Sequence, residues 1–158
     1  MKMEYIVLIS VWCLTIIGLL YYVRRYEIRE ALVIFLFKQM LTWAFGLLVV
    51  EFGLIEYPVR EFQKASATSF SFEYFIYPAI CVIFNLRYPI NKGLLHRMGW
   101  FLFFPTWMTI MELLLEKNTD LIKYIHWTWY WTWITLFITF YVSMKFYRWF
   151  NRITVVTH

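Results

Sequence analysis

The stretch "HWTWYWTWITLFITFYVSM" (residues 126–144) decides the fold class of this chain. It begins with a tryptophan at every second position, and such alternation is typical of a half-buried β-strand. The run then continues without a turn signal or a charge until Lys145, which is further than strands usually extend. With helical periodicity, its small hydroxyl residues form one stripe between two walls of indole rings. The stretch therefore predicts a helix.

The composition indicates that this helix lies in a membrane. Hydrophobic residues make up 62% of the chain and charged residues only 16%, which does not fit a soluble domain of 158 residues. Apolar runs long enough to cross about 30 Å of hydrocarbon occur five times. They span residues 5–23, 30–50, 70–86, 94–115 and 127–144. We expect an all-α integral membrane bundle, a single domain over residues 1–158, with the first run retained because no small-x-small cleavage site follows it.

Lysine and arginine are unevenly divided between the two sides of these five spans. The connections after the first and third spans and the segment after the fifth hold nine, whereas the opposite side holds five, mixed with acidic residues. Positive residues accumulate on the cytoplasmic side of membrane proteins. This predicts an N-terminus outside and a C-terminus in the cytoplasm. The third span is the shortest, and a re-entrant course is the alternative to a full crossing.

Motifs of common enzymes and nucleic-acid binders are absent from the sequence. Paired CxxC, HExxH, a glycine-rich phosphate loop and GxSxG do not occur. No basic groove interleaved with aromatic residues lies outside the spans, and the net charge of +5 is explained by topology and anionic lipid. We therefore predict no metal, cofactor, catalytic residue or nucleic-acid partner, and we favour a protein that is not an enzyme.

Polar residues at membrane depth are the candidates for function, because they are costly there. They are Lys38, Glu73, Glu112, Glu116 and His126. Glu112 and Glu116 share one helical face, and His126 lies across a short connection from them. Carboxylates and an imidazole at similar depth could bind a cation or pass protons. The alternative is that Glu116 and His126 mark the water boundary and that Lys38 snorkels or pairs with a single carboxylate, Glu73 or Glu112.

Two further features concern helix packing. Hydroxyl residues at helical spacing on the fifth span predict a face that a neighbouring helix approaches closely. They are Thr128, Thr132, Thr135 and Thr139. Pro78 and Pro105 lie near the middle of the third and fourth spans, where each is expected to kink its helix and free a backbone carbonyl. Such a carbonyl could be structural or could open a polar cavity.

Short motifs are spread over most of the chain. They are "EYP" after the second span, "NLRYP" at the end of the third, a proline followed by "ELLLE" in the fourth and "WTWYWTW" at the start of the fifth. In these motifs the chain resembles a group of small multi-pass membrane proteins of unassigned function in endospore-forming Gram-positive bacteria. The resemblance implies a bacterial plasma-membrane protein and carries no activity.

Three functions remain compatible with the sequence. The first is a non-catalytic subunit or assembly partner, which works in the lipid bilayer as a homo-oligomer or with another membrane protein. The second is a small transporter or channel that uses the buried lysine and glutamates. The third is an intramembrane enzyme acting on a lipid or isoprenoid, for which Glu112 and His126 would be the minimal acid–base pair. Short connections and the lack of a catalytic set favour the first.

Overall fold

Helices form most of the chain in the computed structural model, which describes the backbone of residues 2–156 and the side chains of residues 3–152. The helices are α1 (Lys2–Tyr22), α2 (Ile28–Glu51), α3 (Tyr77–Leu86), α4 (Leu94–Asn118) and α5 (Trp129–Val156). A 3₁₀ turn over Arg25–Glu27 precedes α2, and a π-helical segment over Phe70–Ile76 runs directly into α3. Two strands of two residues each complete the described part, β1 (Ile55–Glu56) and β2 (Lys123–Tyr124).

The prediction of a helical bundle is confirmed, since 75% of the chain is helical. Within the described residues, α1, α2 and α4 are long and apolar enough to cross a membrane. The segment from Phe70 to Leu86 is apolar but shorter. Helix α5 continues beyond the predicted end at residue 144, because no proline or glycine follows to end it and a helix does not stop where the apolar run does.

The connections of the bundle gather at two opposite ends. At one of them, here called the β end, β1 pairs antiparallel with β2, with Ile55 opposite Tyr124. This pairing joins the connection after α2 to the connection after α4. The sequence did not indicate these strands, because two residues carry no periodicity.

The other end is here called the basic end. Arg87, which follows α3, donates two hydrogen bonds to the carboxylate of Glu27, with Nη1–Oε1 and Nη2–Oε2 distances of 2.9 and 2.7 Å. Its Nη2 also donates to the carbonyl of Tyr22 at the end of α1. A bidentate arginine–carboxylate pair fixes geometry as well as charge. It ties the turn between α1 and α2 to the end of α3.

Glycine sets the end of α2. Gly53 has a φ of 64°, a conformation that glycine adopts without strain. The amide N–H groups of Gly53 and Leu54 donate to the carbonyls of Val50 and Val49, which closes the last turn of the helix. The chain is thereby directed into β1.

Two hydrophobic clusters fill the interior. The cluster nearer the basic end centres on Phe84, whose ring meets those of Phe101, Phe104 and Phe140 edge-on at 5.0–5.4 Å. The cluster at the β end contains Leu8, Ile55, Phe72, Ile76, Leu121 and Ile122. Edge-on ring pairs add to the stabilisation that burial alone provides. On α2, buried Lys38 and Thr42 lie between residues of the two clusters.

Candidate functional site

A network of polar side chains crosses the interior between the two hydrophobic clusters. Its charged members are Lys38 on α2, Glu73 on the π-helical segment and Glu112 on α4. Their side chains are 0%, 8% and 7% exposed, respectively. Charged side chains are rarely buried so completely unless they are hydrogen-bonded or paired. The partners of these three residues therefore decide what the network can do.

Glu112 receives hydrogen bonds from three parts of the chain. The phenol of Tyr77 donates to Oε2 at 2.7 Å, and the phenol of Tyr124 donates to Oε1 at 2.7 Å. The hydroxyl of Thr132 donates to Oε1 at 2.9 Å. The indole N–H of Trp127 donates to Thr132 Oγ1 at 2.8 Å, which leaves the hydroxyl hydrogen of Thr132 for the carboxylate. One carboxyl group thus joins α3, β2, α4 and α5.

Glu73 lies against the backbone of α2. A Cβ atom added at Gly46 would lie 2.9 Å from Cδ of Glu73 and 3.0 Å from Oγ1 of Thr68. Glycine at this position therefore provides the space for the carboxyl group. The phenol of Tyr57, from the connection after β1, donates to Glu73 Oε1 at 3.1 Å.

The two phenols contributed by connections at the β end remain protonated near neutral pH. Burial raises the pKa of Tyr57 well above its ordinary value, and the carboxylate of Glu73 adds to the effect. Burial likewise raises the pKa of Tyr124, and Glu112 is the second cause. A low-dielectric site and a nearby negative charge both disfavour a phenolate. Both tyrosines therefore act as hydrogen-bond donors to the glutamates.

The π-helical segment exposes backbone carbonyls that α2 satisfies. Pro78 has no N–H, so it cannot donate to the carbonyl of Tyr74 four residues earlier or to that of Glu73 five residues earlier. Gln39 Nε2 donates to the Tyr74 carbonyl at 2.8 Å instead, and Thr42 Oγ1 donates to the Glu73 carbonyl at 2.6 Å. The carbonyls that a proline at this position was expected to free are thus present, and they bind α2 to the segment.

Lys38 is held by α5. Its ammonium donates to Thr139 Oγ1 at 2.5 Å and lies 4.5 Å from the centre of the Phe140 ring. Among the described residues, the ion pair found joins Arg87 to Glu27, and Lys38 makes no such contact with Glu73 or Glu112. The expected pairing of Lys38 with one carboxylate is therefore not seen, because Thr139 and the face of an aromatic ring occupy the position next to the ammonium.

A small cavity lies within the network. Its volume is about 70 Å³, and its polar lining residues include Thr42, Tyr57, Glu73, Tyr77, Glu112 and Thr139. One water molecule needs about 10–15 Å³ on this measure, so there is room for roughly five. Pockets for drug-sized ligands are several times larger, at about 300–1,000 Å³. The cavity can hold water or a small ion but no organic substrate.

The structure separates the residues that the sequence grouped together. Glu112 is at the centre of the network, while Glu116, one turn further along α4, is half-buried. His126 is exposed, and its backbone N–H donates to the carbonyl of Leu54. The hypothetical acid–base pair of Glu112 and His126 therefore does not form, because the chain presents tyrosine and threonine hydroxyls to Glu112.

The threonine stripe of α5 faces the network along most of its length. Thr132 and Thr139 are buried and bind Glu112 and Lys38, respectively. Thr135 is half-buried at the cavity, and its hydroxyl donates to the carbonyls of Trp131 and Thr132. Thr128 is exposed just before α5 begins. The hydroxyl groups of this stripe thus bind charged residues in addition to making room for neighbouring helices.

Sequence reasoning missed several members of the network. Tyr57 and Tyr124 lie in connections, where hydrophobic periodicity gives no indication of a neighbour inside the bundle. Gly46 is a single glycine in a long apolar run, and Tyr77 is one of 12 tyrosines. Pro78 was the one available signal, since the carbonyls it frees need donors on a neighbouring helix.

Comparisons of the chain with protein-family models, with curated proteins and with solved structures found no match. The resemblance to membrane proteins of endospore-forming bacteria therefore stays a prediction. Among the described residues, histidine, cysteine, aspartate and glutamate form no group of three or more that could hold a metal ion.

Proposed function

We propose that this chain is a small multi-pass protein of the bacterial plasma membrane that acts as a non-catalytic subunit or assembly partner. Its spans would be residues 5–23, 30–50, 70–86, 94–115 and 127–144, with the N-terminus outside and the C-terminus in the cytoplasm. The resemblance of its short motifs to membrane proteins of Gram-positive bacteria supports this location. The observation that carries the proposal is that the three buried charged groups are each hydrogen-bonded within the chain.

The groups that a catalytic site would leave free are engaged within the chain. Glu112 accepts three hydroxyl hydrogen bonds, Glu73 accepts one from Tyr57, and Lys38 donates to Thr139. The cavity of about 70 Å³ has no room for a lipid or isoprenoid group. A buried hydrogen-bonded network that joins several helices favours one arrangement of them, which is a structural role. This argues against the intramembrane enzyme.

The surface of the bundle offers apolar area for a partner or a second copy. On α1, the side chains of Leu14, Ile17 and Leu20 are 68%, 61% and 78% exposed. A groove of about 500 Å³ lies along α2 and is lined by Ala44, Leu47, Leu48, Val50, Glu51 and Ala67. Small residues such as alanine let helices approach closely in membranes. These faces support association with another membrane protein or a homo-oligomer.

Purification of the native complex tests the assembly role. We expect the chain, extracted in a mild detergent, to migrate with a fixed partner protein or as a homo-oligomer, because the alanines lining the α2 groove allow a helix to approach closely. Native mass spectrometry gives the mass of the complex, and the single chain contributes 19.5 kDa. A uniform monomer carrying only lipid would contradict the proposal.

Cysteine labelling tests the five-span topology. In a chain carrying Cys13→Ala and Cys81→Ala, a membrane-impermeant maleimide applied to intact cells should label Lys64→Cys and leave Lys92→Cys unlabelled. Both positions are exposed, so accessibility is decided by the side of the membrane. Permeabilised cells, in which both positions should be labelled, are the control. The reverse pattern would invert the orientation, and labelling of both positions in intact cells would indicate a re-entrant third segment.

A second candidate is a transporter or channel for protons or a small cation. The cavity favours it, because two carboxyl groups and several hydroxyl groups face a space large enough for water or an ion. Ion flux into vesicles containing the purified chain, abolished by Glu112→Gln, would support this candidate over the first. Absence of flux would leave the assembly role as the better proposal.

A further inference from the structure

Two arginines meet at one tyrosine at the basic end. Tyr88 follows α3, Arg97 lies in the first turns of α4, and Arg148 lies in the second half of α5. The guanidinium carbons of Arg97 and Arg148 are 5.9 and 5.0 Å from the centre of the Tyr88 ring. Tyr88 is itself fixed by an edge-on contact with Phe84 at 5.7 Å. Segments distant in sequence thus bring two guanidinium groups within 5.9 Å of the centre of the same ring.

Each of these guanidinium groups has a donor that no described residue satisfies. Nε of Arg97 and Nη2 of Arg148 are buried from solvent, and neither has a hydrogen-bond acceptor among the described residues. A buried, unsatisfied donor on a charged group is strongly unfavourable. Arginine–aromatic contact offsets part of this effect but supplies no acceptor in the plane of the guanidinium group.

The neighbouring Arg87, in contrast, is hydrogen-bonded to acceptors within the chain. It holds Glu27 with two hydrogen bonds and caps the carbonyl of Tyr22. The other nearby carboxylate, Glu30, accepts a hydrogen bond from Tyr147. Arg97 and Arg148 are half-buried and form no ion pair among the described residues, so their positive charge is available to an anionic ligand from outside the chain.

We infer that Arg97 and Arg148 bind a phosphate group beside Tyr88. Phosphate oxygens match the planar N–H groups of guanidinium, and one phosphate can accept from two arginines. In a bilayer, phosphates of lipid headgroups lie at the ends of the helices, where basic pockets between helices bind anionic lipid. A free phosphate or phosphorylated solute offers the same chemistry. The inference depends on the membrane location and is independent of the proposed assembly role.

Lipid-resolved native mass spectrometry of the full chain tests this site. The probes are a short-chain phosphatidylglycerol, the corresponding diacylglycerol without phosphate, and inorganic phosphate. The variant carries Arg97→Gln and Arg148→Gln. The control carries Arg25→Gln and Arg152→Gln, which remove the same charge from exposed positions at the same end. Losing charge-assisted hydrogen bonds should weaken phosphatidylglycerol binding by about tenfold or more in the variant, with little change in the control.

The remaining outcomes separate the two sources of phosphate. Binding of phosphatidylglycerol that excess inorganic phosphate does not displace would identify a lipid headgroup, whereas displacement would identify a site open to soluble phosphate. Equal binding by variant and control, or equal binding of diacylglycerol and phosphatidylglycerol to the natural chain, would overturn the inference. The single substitutions Arg97→Gln and Arg148→Gln are measured as well, and each should weaken binding even where the double variant fails to fold.

Discussion

Replacing Glu112 with leucine is expected to destabilise the folded chain by about 2–4 kcal/mol, because two half-buried phenols and the buried hydroxyl of Thr132 lose this carboxylate as an acceptor. Tyr77 and Tyr124 both donate to this carboxylate at 2.7 Å. Leucine fills a similar space and cannot accept a hydrogen bond. The change in the free energy of unfolding therefore reports the loss of the hydrogen bonds more than a change in packing. Reversible unfolding in detergent, followed by circular dichroism, measures the free energy of unfolding.

Two further variants serve as controls for Glu112→Leu. Glu116→Leu, one turn away on the same helix and half-buried, should change the free energy of unfolding by less than about 0.5 kcal/mol, as surface changes usually do. Glu112→Gln keeps one acceptor oxygen and should lie between the natural chain and Glu112→Leu. If Glu112→Leu unfolds like the natural chain, the network contributes no stability and the structural role proposed for it is wrong.

Replacing Lys38 with methionine is expected to stabilise the chain by about 1–3 kcal/mol, since an unpaired lysine near the centre of a bilayer costs about 2.5–3.5 kcal/mol. The ammonium is fully buried and its hydrogen bond goes to a neutral hydroxyl, Thr139. Methionine has a similar length and no charge. Thr139 keeps its hydrogen bond to the carbonyl of Leu136, so no donor is stranded.

The control for Lys38→Met is Lys117→Met, at an exposed position near the end of α4, which should leave the free energy of unfolding almost unchanged. A double-mutant cycle with Glu73→Gln gives the sharper test. Loss of stability in Lys38→Met that Glu73→Gln partly restores would show that the two charges are coupled without direct contact. A gain of stability would mean that the buried charge of Lys38 is kept at a cost to folding.

The helices could be predicted from the sequence, whereas the partners of the buried charges could not. Apolar runs of 17 residues or more have few alternatives to a helix, so five helical segments lie near their predicted positions. Lys38, Glu73 and Glu112 could be singled out because charge is rare at such depth. Their partners depend on which faces meet, and Tyr57 and Tyr124 reach the interior only because β1 pairs with β2. Neither hydrophobic periodicity nor a turn motif in the sequence indicates that pairing.

The hydrogen bond between Lys38 and Thr139 joins residues 101 positions apart, and this separation bears on the order in which the chain can be completed. Synthesis delivers α2 and α4 well before α5, and domains tend to form from the N-terminus onward as they emerge. Until α5 arrives, Lys38 has no Thr139 and Glu112 lacks Thr132. Formation of α5 supplies both hydroxyl groups, so these buried charges gain their full set of partners only once this helix is in place.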